Sequence, residues 1–268
     1  MAQKMRNDGL LVHLRRWGLK VEAKEGWRFR GRPYDFKPKA IIAHHTASNA
    51  KSGNFGSENT VTNGRPGLPG PLCQFLLGRD GTVKVIAAGY ANHAGYGGPL
   101  AGIPANQGNT YSIGIEAENN GLGEPWSRAQ LNAYYRLCAA LLVWMGTKDV
   151  EKVIGHKEWA PGRKPDPAGI NMNNFRYNVK KALAAGPLLP TISLSKVQPG
   201  ERNTDVVKLK KKLAAKGYRG FIVESTKFGP GLRLAYRKYQ RSLGYTGADA
   251  DGRPGRLSLK KLGFNVIA

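Results

Sequence analysis

Short apolar and alternating segments in the first half of the chain predict β-strands. Residues 38–46 hold an apolar run that ends in two histidines, and residues 112–118 alternate between apolar and polar positions. Residues 73–89 predict a hairpin, because Asp80 and Gly81 form a turn signal between two apolar stretches. These segments are the expected strands of one sheet.

Three other segments follow the spacing of an α-helix. Residues 10–20 predict a short basic helix, and residues 173–186 predict a later one. Residues 127–146 predict a longer helix, because Ser127 is a suitable N-cap and Gly146 a suitable stop.

The remaining segments of this region connect strands and helices. Residues 48–71 are dense in Gly, Asn, Ser and Pro, which predicts a long loop of a kind that is usually functional or mobile. Residues 153–156 predict a short buried strand that leads into a proline-rich loop. Because strands and helices are mixed over residues 1–186, we expect them to form one α/β domain.

A change of pattern after residue 186 predicts a second, smaller domain. Residues 187–199 lack clear periodicity and contain flanking prolines, so we expect a linker there. Residues 200–268 carry two amphipathic helical stretches, at 204–216 and at 230–242. They predict a small helical domain.

The charge of the chain narrows the choice of partners. The 42 Lys and Arg residues outnumber the 18 Asp and Glu residues, which gives a net charge of +24. A field of this sign attracts polyanions, and both nucleic acid and anionic cell-wall polymers are candidates. We expect no specific recognition of nucleic acid, because no known nucleic-acid motif occurs and the basic residues are spread through both predicted domains.

Cysteine usage and hydropathy exclude two further classes. The two cysteines, Cys73 and Cys138, do not form the framework of a disulfide-rich protein or a cysteine-rich metal cluster. The most apolar stretch, residues 137–145, is too short to span a bilayer, so we expect no membrane insertion. The first twenty residues lack a long apolar run and a small-residue cleavage site, so we expect no secretory signal.

Two histidines stand at the ends of predicted strands. His44 follows the run AIIA, His156 follows VIG, and Asp166 lies ten residues beyond His156. Two imidazoles and one carboxylate suit zinc, and three protein ligands leave a fourth position for water, as in catalytic sites. Ordinary structural histidines remain an equal alternative on these residues alone, because their spacing matches no short zinc motif.

Two carboxylates and a lysine add candidate chemistry. Glu116 and Glu118 fall on the same face of the strand at 112–118, and a carboxylate beside a metal can take and return protons during hydrolysis. Lys164 can place a cation where an oxyanion develops. The alternative is that both carboxylates lie on a solvated strand face and that the lysine is solvated.

Five segments occur in an order that resembles a known family. They are HHTAS (44–48), GRDGTV (78–83), NHAG (92–95), NTYSIGIEAEN (109–119) and GHKEWAPGRKPDP (155–167). The family is the N-acetylmuramoyl-L-alanine amidases of the type shared by phage endolysins, bacterial wall-recycling amidases and animal peptidoglycan-recognition proteins. The resemblance covers about residues 38–183 and implies an α/β fold with a mixed central β-sheet flanked by helices. The glycine-rich loop and the surroundings of NHAG are most similar to endolysins of phages that infect actinobacteria.

The resemblance assigns roles to individual residues. It implies that His44, His156 and Asp166 bind Zn²⁺, that Glu116 handles the proton, and that Lys164 supports the oxyanion.

Three further positions follow from the same comparison. His93 matches a groove position, so we expect it to contact substrate. His45 is expected to point to the opposite face of its strand and to be structural. Some family members have a catalytic Tyr at the position of Cys73, so its absence places more of the proton transfer on Glu116, and we expect Cys73 to be a core residue.

The C-terminal region is similar to the three-helix peptidoglycan-binding domain that often accompanies such enzymes. The resembling segments are residues 200–218, 228–245 and 251–263. The chain departs from that pattern with Lys210 where Gln is common and Leu232 where Thr is common. The alternative is a generic basic helical bundle.

The resemblance implies a zinc-dependent hydrolase that cleaves the amide between N-acetylmuramic acid and the L-alanine of the stem peptide. We expect a monomeric phage endolysin, with peptidoglycan and anionic wall polymers as partners. It would be made in the cytoplasm of the host bacterium and would act on the wall after another factor permeabilises the membrane. The alternatives are a non-catalytic peptidoglycan-recognition protein and an intracellular wall-recycling amidase.

Overall fold

The computed structural model describes residues 5–31, 36–49 and 52–268. The chain divides into two compact units, Met1–Leu188 and Leu189–Ala268. Among the described residues, no helix is long and apolar enough to cross a membrane.

The first unit is built around a six-stranded sheet. The strands of the sheet are β1 (Val21–Ala23), β2 (Ala40–His45), β5 (Phe75–Leu77), β6 (Val83–Val85), β7 (Ser112–Ala117) and β8 (Val153–Gly155). A separate two-stranded hairpin consists of β3 (Gly64–Arg65) and β4 (Leu68–Pro69). The strand order in the sheet is β1-β6-β5-β7-β2-β8, and only the β5–β6 pair is antiparallel. The expected mixed sheet of an α/β fold is therefore confirmed.

Six α-helices belong to the described part of this unit. They are α1 (Gly9–Arg16), α2 (Glu58–Asn63), α3 (Gly108–Tyr111), α4 (Arg128–Met145), α5 (His156–Trp159) and α6 (Met172–Ala185). The caps predicted for α4 are present: Ser127 accepts a hydrogen bond from the backbone N–H of Gln130, and Gly146 adopts the left-handed conformation with φ of 84°.

The sheet is buried on both faces, because side chains on successive strand positions point in opposite directions. Ile41 and Ile113 lie in the larger core, which also contains the buried sides of α1, α4 and α6. Ile42 and Ile154 lie in a smaller cluster on the other face, around Trp159. With both faces covered, the edge at the carboxyl ends of β2, β7 and β8 is a natural place for a site.

The expected loop at residues 48–71 is only partly a loop. Helix α2 and the β3–β4 hairpin lie inside it, whereas residues 50 and 51 are outside the described residues. Helix α2 is attached to the sheet, because Glu58 forms ion pairs with Lys24 (2.9 Å) and Lys84 (2.5 Å). The composition of this segment did not predict helix α2, which the ion pairs of Glu58 and the burial of Val61 stabilise.

The second unit has three helices and a short parallel strand pair. Its elements are β9 (Thr191–Ser193), α7 (Thr204–Ala215), α8 (Pro230–Ser242), α9 (Arg256–Lys261) and β10 (Asn265–Ile267). Its core combines Val206 and Leu209 of α7 with Tyr236 and Tyr239 of α8.

The predicted linker is wrong over residues 191–197. Ile192 and Val197 are fully buried in the core of the second unit. The backbone N–H of Ser193 donates to the carboxylate of Asp205 at 2.9 Å, which fixes strand β9 to helix α7. This three-residue strand directly follows Pro190 in a segment without clear periodicity, so its pattern resembled that of a linker.

Candidate active site

Two parallel strands and one loop bring His44, His156 and Asp166 together. His44 is in β2, and His156 directly follows β8, its neighbour in the sheet. The Nδ1 atoms of the two histidines are 2.9 Å apart, and Asp166 Oδ2 lies 3.0 Å from His44 Nδ1 and 2.9 Å from His156 Nδ1. All three residues are buried.

The backbone of His44 is fixed from helix α4. The hydroxyl of Tyr134 accepts a hydrogen bond from the N–H of His44 at 3.0 Å and lies 3.1 Å from the carbonyl oxygens of His44 and Ile115. Because Tyr134 is itself fully buried, it fixes β2 and β7 in relation to each other where the site begins.

The donor set fits a zinc ion. Two imidazole nitrogens and one carboxylate oxygen, all within 4.8 Å of one another, are ligand types that zinc takes in catalytic sites. The outer nitrogen of His156 lies 2.9 Å from the carbonyl oxygen of Ala94, which can only accept, so Nδ1 of His156 presents its lone pair to the cluster.

Burial and mutual charges favour the protonation states that a metal requires. Burial, and then the neighbouring His156, lower the pKa of His44 to about 4, so this ring is neutral at pH 7. Burial opposes the ionisation of Asp166, but its close contacts with His156 and His44 outweigh that effect and hold the pKa of the carboxyl well below its usual range.

Glu116 lies beside this cluster on the adjacent strand. It is the register partner of His44, and its Oε1 is 3.9 Å from His44 Nδ1. Its Oε2 is buried without a hydrogen-bond partner among the described residues. Burial, and then the charge of Asp166, raise the pKa of Glu116 well above its usual value, whereas Lys164 acts in the opposite direction. A carboxyl group in such surroundings is suited to proton transfer.

The cluster lies beside a cavity of about 610 Å³. Glu116, His156, Asp166 and Lys164 line it, so the structure brings the predicted catalytic pair and two of the three predicted metal ligands to one surface. Residues 46–48, several residues between 56 and 72, and His93 also line it.

Glu118 is not on a solvated strand face, and that alternative is wrong. Its side chain is fully buried and accepts hydrogen bonds from Ser57 N–H (2.8 Å), from the hydroxyl groups of Ser48 and Thr46, and from Arg79 (3.4 Å). Since Ser48 and Ser57 line the cavity, Glu118 anchors this part of the cavity wall.

Arg79 belongs to the same anchor. Its guanidinium group pairs with Glu124 at 2.7 Å and donates to the carbonyl oxygens of Gly53 (2.8 Å) and Ser48 (3.0 Å). The sequence placed Arg79 in a family segment but gave no signal for this contact, because its partners are 26 to 45 residues away along the chain.

His45 and Cys73 lie outside the ligand group. His45 Nδ1 accepts a hydrogen bond from the N–H of Ala168 at 3.0 Å, which is a structural contact. Cys73 is fully buried in a small cluster with Leu72 and Leu76, and burial raises the pKa of its thiol well above the usual value. The burial of Cys73 agrees with its expected core role, whereas His45 makes a structural contact and also lines the cavity.

Residues 34–169, just over half of the chain, match the family described as N-acetylmuramoyl-L-alanine amidase. The chain belongs to this family. As a member of this family, it is an amidase that acts on peptidoglycan. The matched range contains His44, His93, Glu116, His156, Lys164 and Asp166.

Several solved structures are similar to about three fifths of the chain. A selenomethionine derivative of AmpD is 23% identical, with 60% of this chain and 94% of that chain covered and a TM-score of 0.46. The endolysin N-acetylmuramoyl-L-alanine amidase LysCS from Clostridium intestinale is 20% identical, with coverage of 60% and 95% and a TM-score of 0.44. A mutant endolysin from Bacillus subtilis is 20% identical, with coverage of 60% and 99% and a TM-score of 0.44. No curated protein gives a significant match.

Proposed function

We propose that this amidase uses one zinc ion, held by His44, His156 and Asp166, to cleave the amide between N-acetylmuramic acid and L-alanine, and that it serves as a phage endolysin. The observation that carries the proposal is the buried cluster of two Nδ1 atoms and one carboxylate oxygen beside a cavity that also contains Glu116. Glu116 favours catalysis over recognition alone, because a module that only recognises peptidoglycan needs no unpaired buried carboxylate there.

Glu116 and Lys164 have different roles in amide hydrolysis. Zinc, when bound, polarises a carbonyl group and lowers the pKa of water that it binds. Glu116 accepts the proton of the attacking water and passes it to the leaving amine of alanine. Lys164, on the cavity wall, supplies positive charge to the oxyanion of the tetrahedral intermediate.

The second unit supports the endolysin role over the recycling role. From residue 197 to the C-terminus, 16 Lys and Arg face 5 Asp and Glu, which suits an anionic wall surface. An enzyme that recycles small soluble fragments has no need of such a unit. We propose that this unit binds wall polymers and that the amidase reaches the wall after another factor permeabilises the membrane.

A cleavage assay on defined substrates tests the proposal. Purified walls are digested, and newly exposed N-terminal alanine is quantified beside newly exposed reducing sugars. The proposal predicts alanine amines without reducing ends. Activity on soluble muropeptides that far exceeds activity on intact walls would instead support a recycling amidase, and wall binding without either product would support a recognition protein.

A further inference from the structure

One four-residue segment contacts the outer nitrogens of both candidate histidine ligands. In residues 92–95, the ring of His93 lies with its Nδ1 3.0 Å from Nε2 of His44, and the carbonyl oxygen of Ala94 lies 2.9 Å from Nε2 of His156. The two rings of His44 and His93 meet edge to face, with centroids 5.0 Å apart. His93 also lines the cavity, so the substrate contact expected from the sequence stays a prediction beside this contact with a candidate ligand.

Hydrogen-bond partners determine which nitrogen of each ring carries the proton. Nε2 of His93 faces the carbonyl oxygen of Ser112 at 3.4 Å, and a carbonyl oxygen can only accept. His93 therefore carries its proton on Nε2 and offers the lone pair of Nδ1 to His44. His44 then donates from Nε2, which leaves its own Nδ1 lone pair directed at His156 and Asp166.

Two other residues hold His93 in this orientation. The side-chain oxygen of Asn109 accepts from the backbone N–H groups of His93 (2.9 Å) and Ala94 (2.7 Å). Gly114 leaves room for the ring, because a Cβ at that position would lie 2.6 Å from Cγ of His93. The glycine of the strand motif SIGIE therefore makes room for the ring of His93.

We infer that His93 is a positioning residue that sets the tautomer and orientation of His44 for metal binding. The inference rests on the zinc site proposed above. Removal of such a hydrogen-bond partner of a ligating histidine typically lowers metal affinity 10- to 100-fold. His93 is mostly buried, and its Nδ1 contacts His44 Nε2 in the structure.

The test compares zinc affinity, measured by competition with a chromophoric chelator, in three variants and the wild type. His93→Phe keeps an aromatic ring without nitrogens and is expected to raise the dissociation constant about 10- to 100-fold. His93→Asn keeps an acceptor at the position of Nδ1 and is expected to stay within about threefold of the wild type. His13→Phe is the matched control, because His13 also bonds a backbone carbonyl, that of Ala140, away from the site.

A second measurement separates positioning from folding. In the metal-free wild type, ¹⁵N shifts of the His44 ring are expected to report the Nε2–H tautomer, and in His93→Phe a mixture of tautomers. Equal zinc affinity of His93→Phe and wild type, with an unchanged His44 tautomer, would overturn the inference while leaving the zinc site intact. A wild type that binds no zinc would instead remove the proposed function itself.

Discussion

Glu116 and His44 are register partners on adjacent parallel strands, and Glu116 Oε1 lies 3.9 Å from His44 Nδ1. The pairing places a proton acceptor and a metal ligand side by side without any loop between them. Rigid strands hold such a geometry more accurately than loops do.

Glu116→Gln is expected to keep zinc and to lower turnover by about 100-fold or more, because the amide cannot accept the proton of the attacking water. Zinc content and the rate of alanine-amine release measure the two effects separately. Glu151→Gln is the control, since the side chain of Glu151 is 75% exposed and does not line the cavity. Equal rates for the two variants would show that Glu116 is not the proton acceptor.

Glu118→Gln is expected to weaken the anchor of the cavity wall. The amide NH₂ of the new side chain would face donors, such as Ser57 N–H and Arg79, so at least one buried hydrogen bond is lost. We expect a loss of about 1–3 kcal/mol in the free energy of unfolding and a higher KM, with zinc retained. Glu124→Gln, which leaves the bond from Ser57 in place, should change KM less. Glu118→Gln with wild-type melting temperature and KM would contradict the anchor.

The metal-free protein is expected to lose stability on acidification because of His44. Its folded pKa of about 4 lies below the unfolded value of 6.5, so between these values only the unfolded chain binds the proton. The stabilisation is present above pH 6.5 and is lost as the pH falls toward 4, by on the order of 3 kcal/mol. His44→Gln should show a shallower fall in urea-unfolding free energy between pH 7 and pH 4. Parallel curves for the two proteins would refute the assignment of this pH dependence to His44.

The two units are expected to function separately. Residues 1–188 should fold and cleave soluble muropeptide, and residues 189–268 should bind walls in a salt-dependent manner, because 0.1 M salt screens exposed charges beyond about 10 Å. Lys210 is an exception among the lysines of α7, since it is buried and donates to the carbonyl oxygens of Ile222 (3.1 Å) and Ser225 (2.7 Å). Substitution of the exposed Lys211 should weaken wall binding.

Wall lysis and cleavage of soluble muropeptide, measured from about 0.05 to 0.5 M salt, distinguish a charge effect on wall binding from one on catalysis or folding. Wall lysis should fall with salt, whereas cleavage of soluble muropeptide should change little, because it depends on short-range contacts. A parallel loss of both activities would locate the charge effect at the active site or in folding. Wall binding without salt dependence would remove the role proposed for the basic second unit.

The sequence predicted the elements with strong local signals. Helix α4 carries its own caps at Ser127 and Gly146, and the strand motifs end in the residues that form the site. The contacts of Glu118 and His93 were not predictable, because they join segments about 20 to 60 residues apart that only the sheet order brings together. Strand β9 was missed for a different reason, since its three residues follow Pro190 in a segment without clear periodicity.

The most direct test of the zinc site is a titration of metal-free protein with zinc, followed through the release of N-terminal alanine from peptidoglycan. Activity should be absent after chelation and should rise linearly to a plateau at one zinc per chain. His44→Ala and His156→Ala should neither bind zinc nor recover activity, whereas His45→Ala should recover most of both, because His45 bonds Ala168 and not the cluster. Full activity of the chelated protein, or loss of zinc only in His45→Ala, would contradict the account.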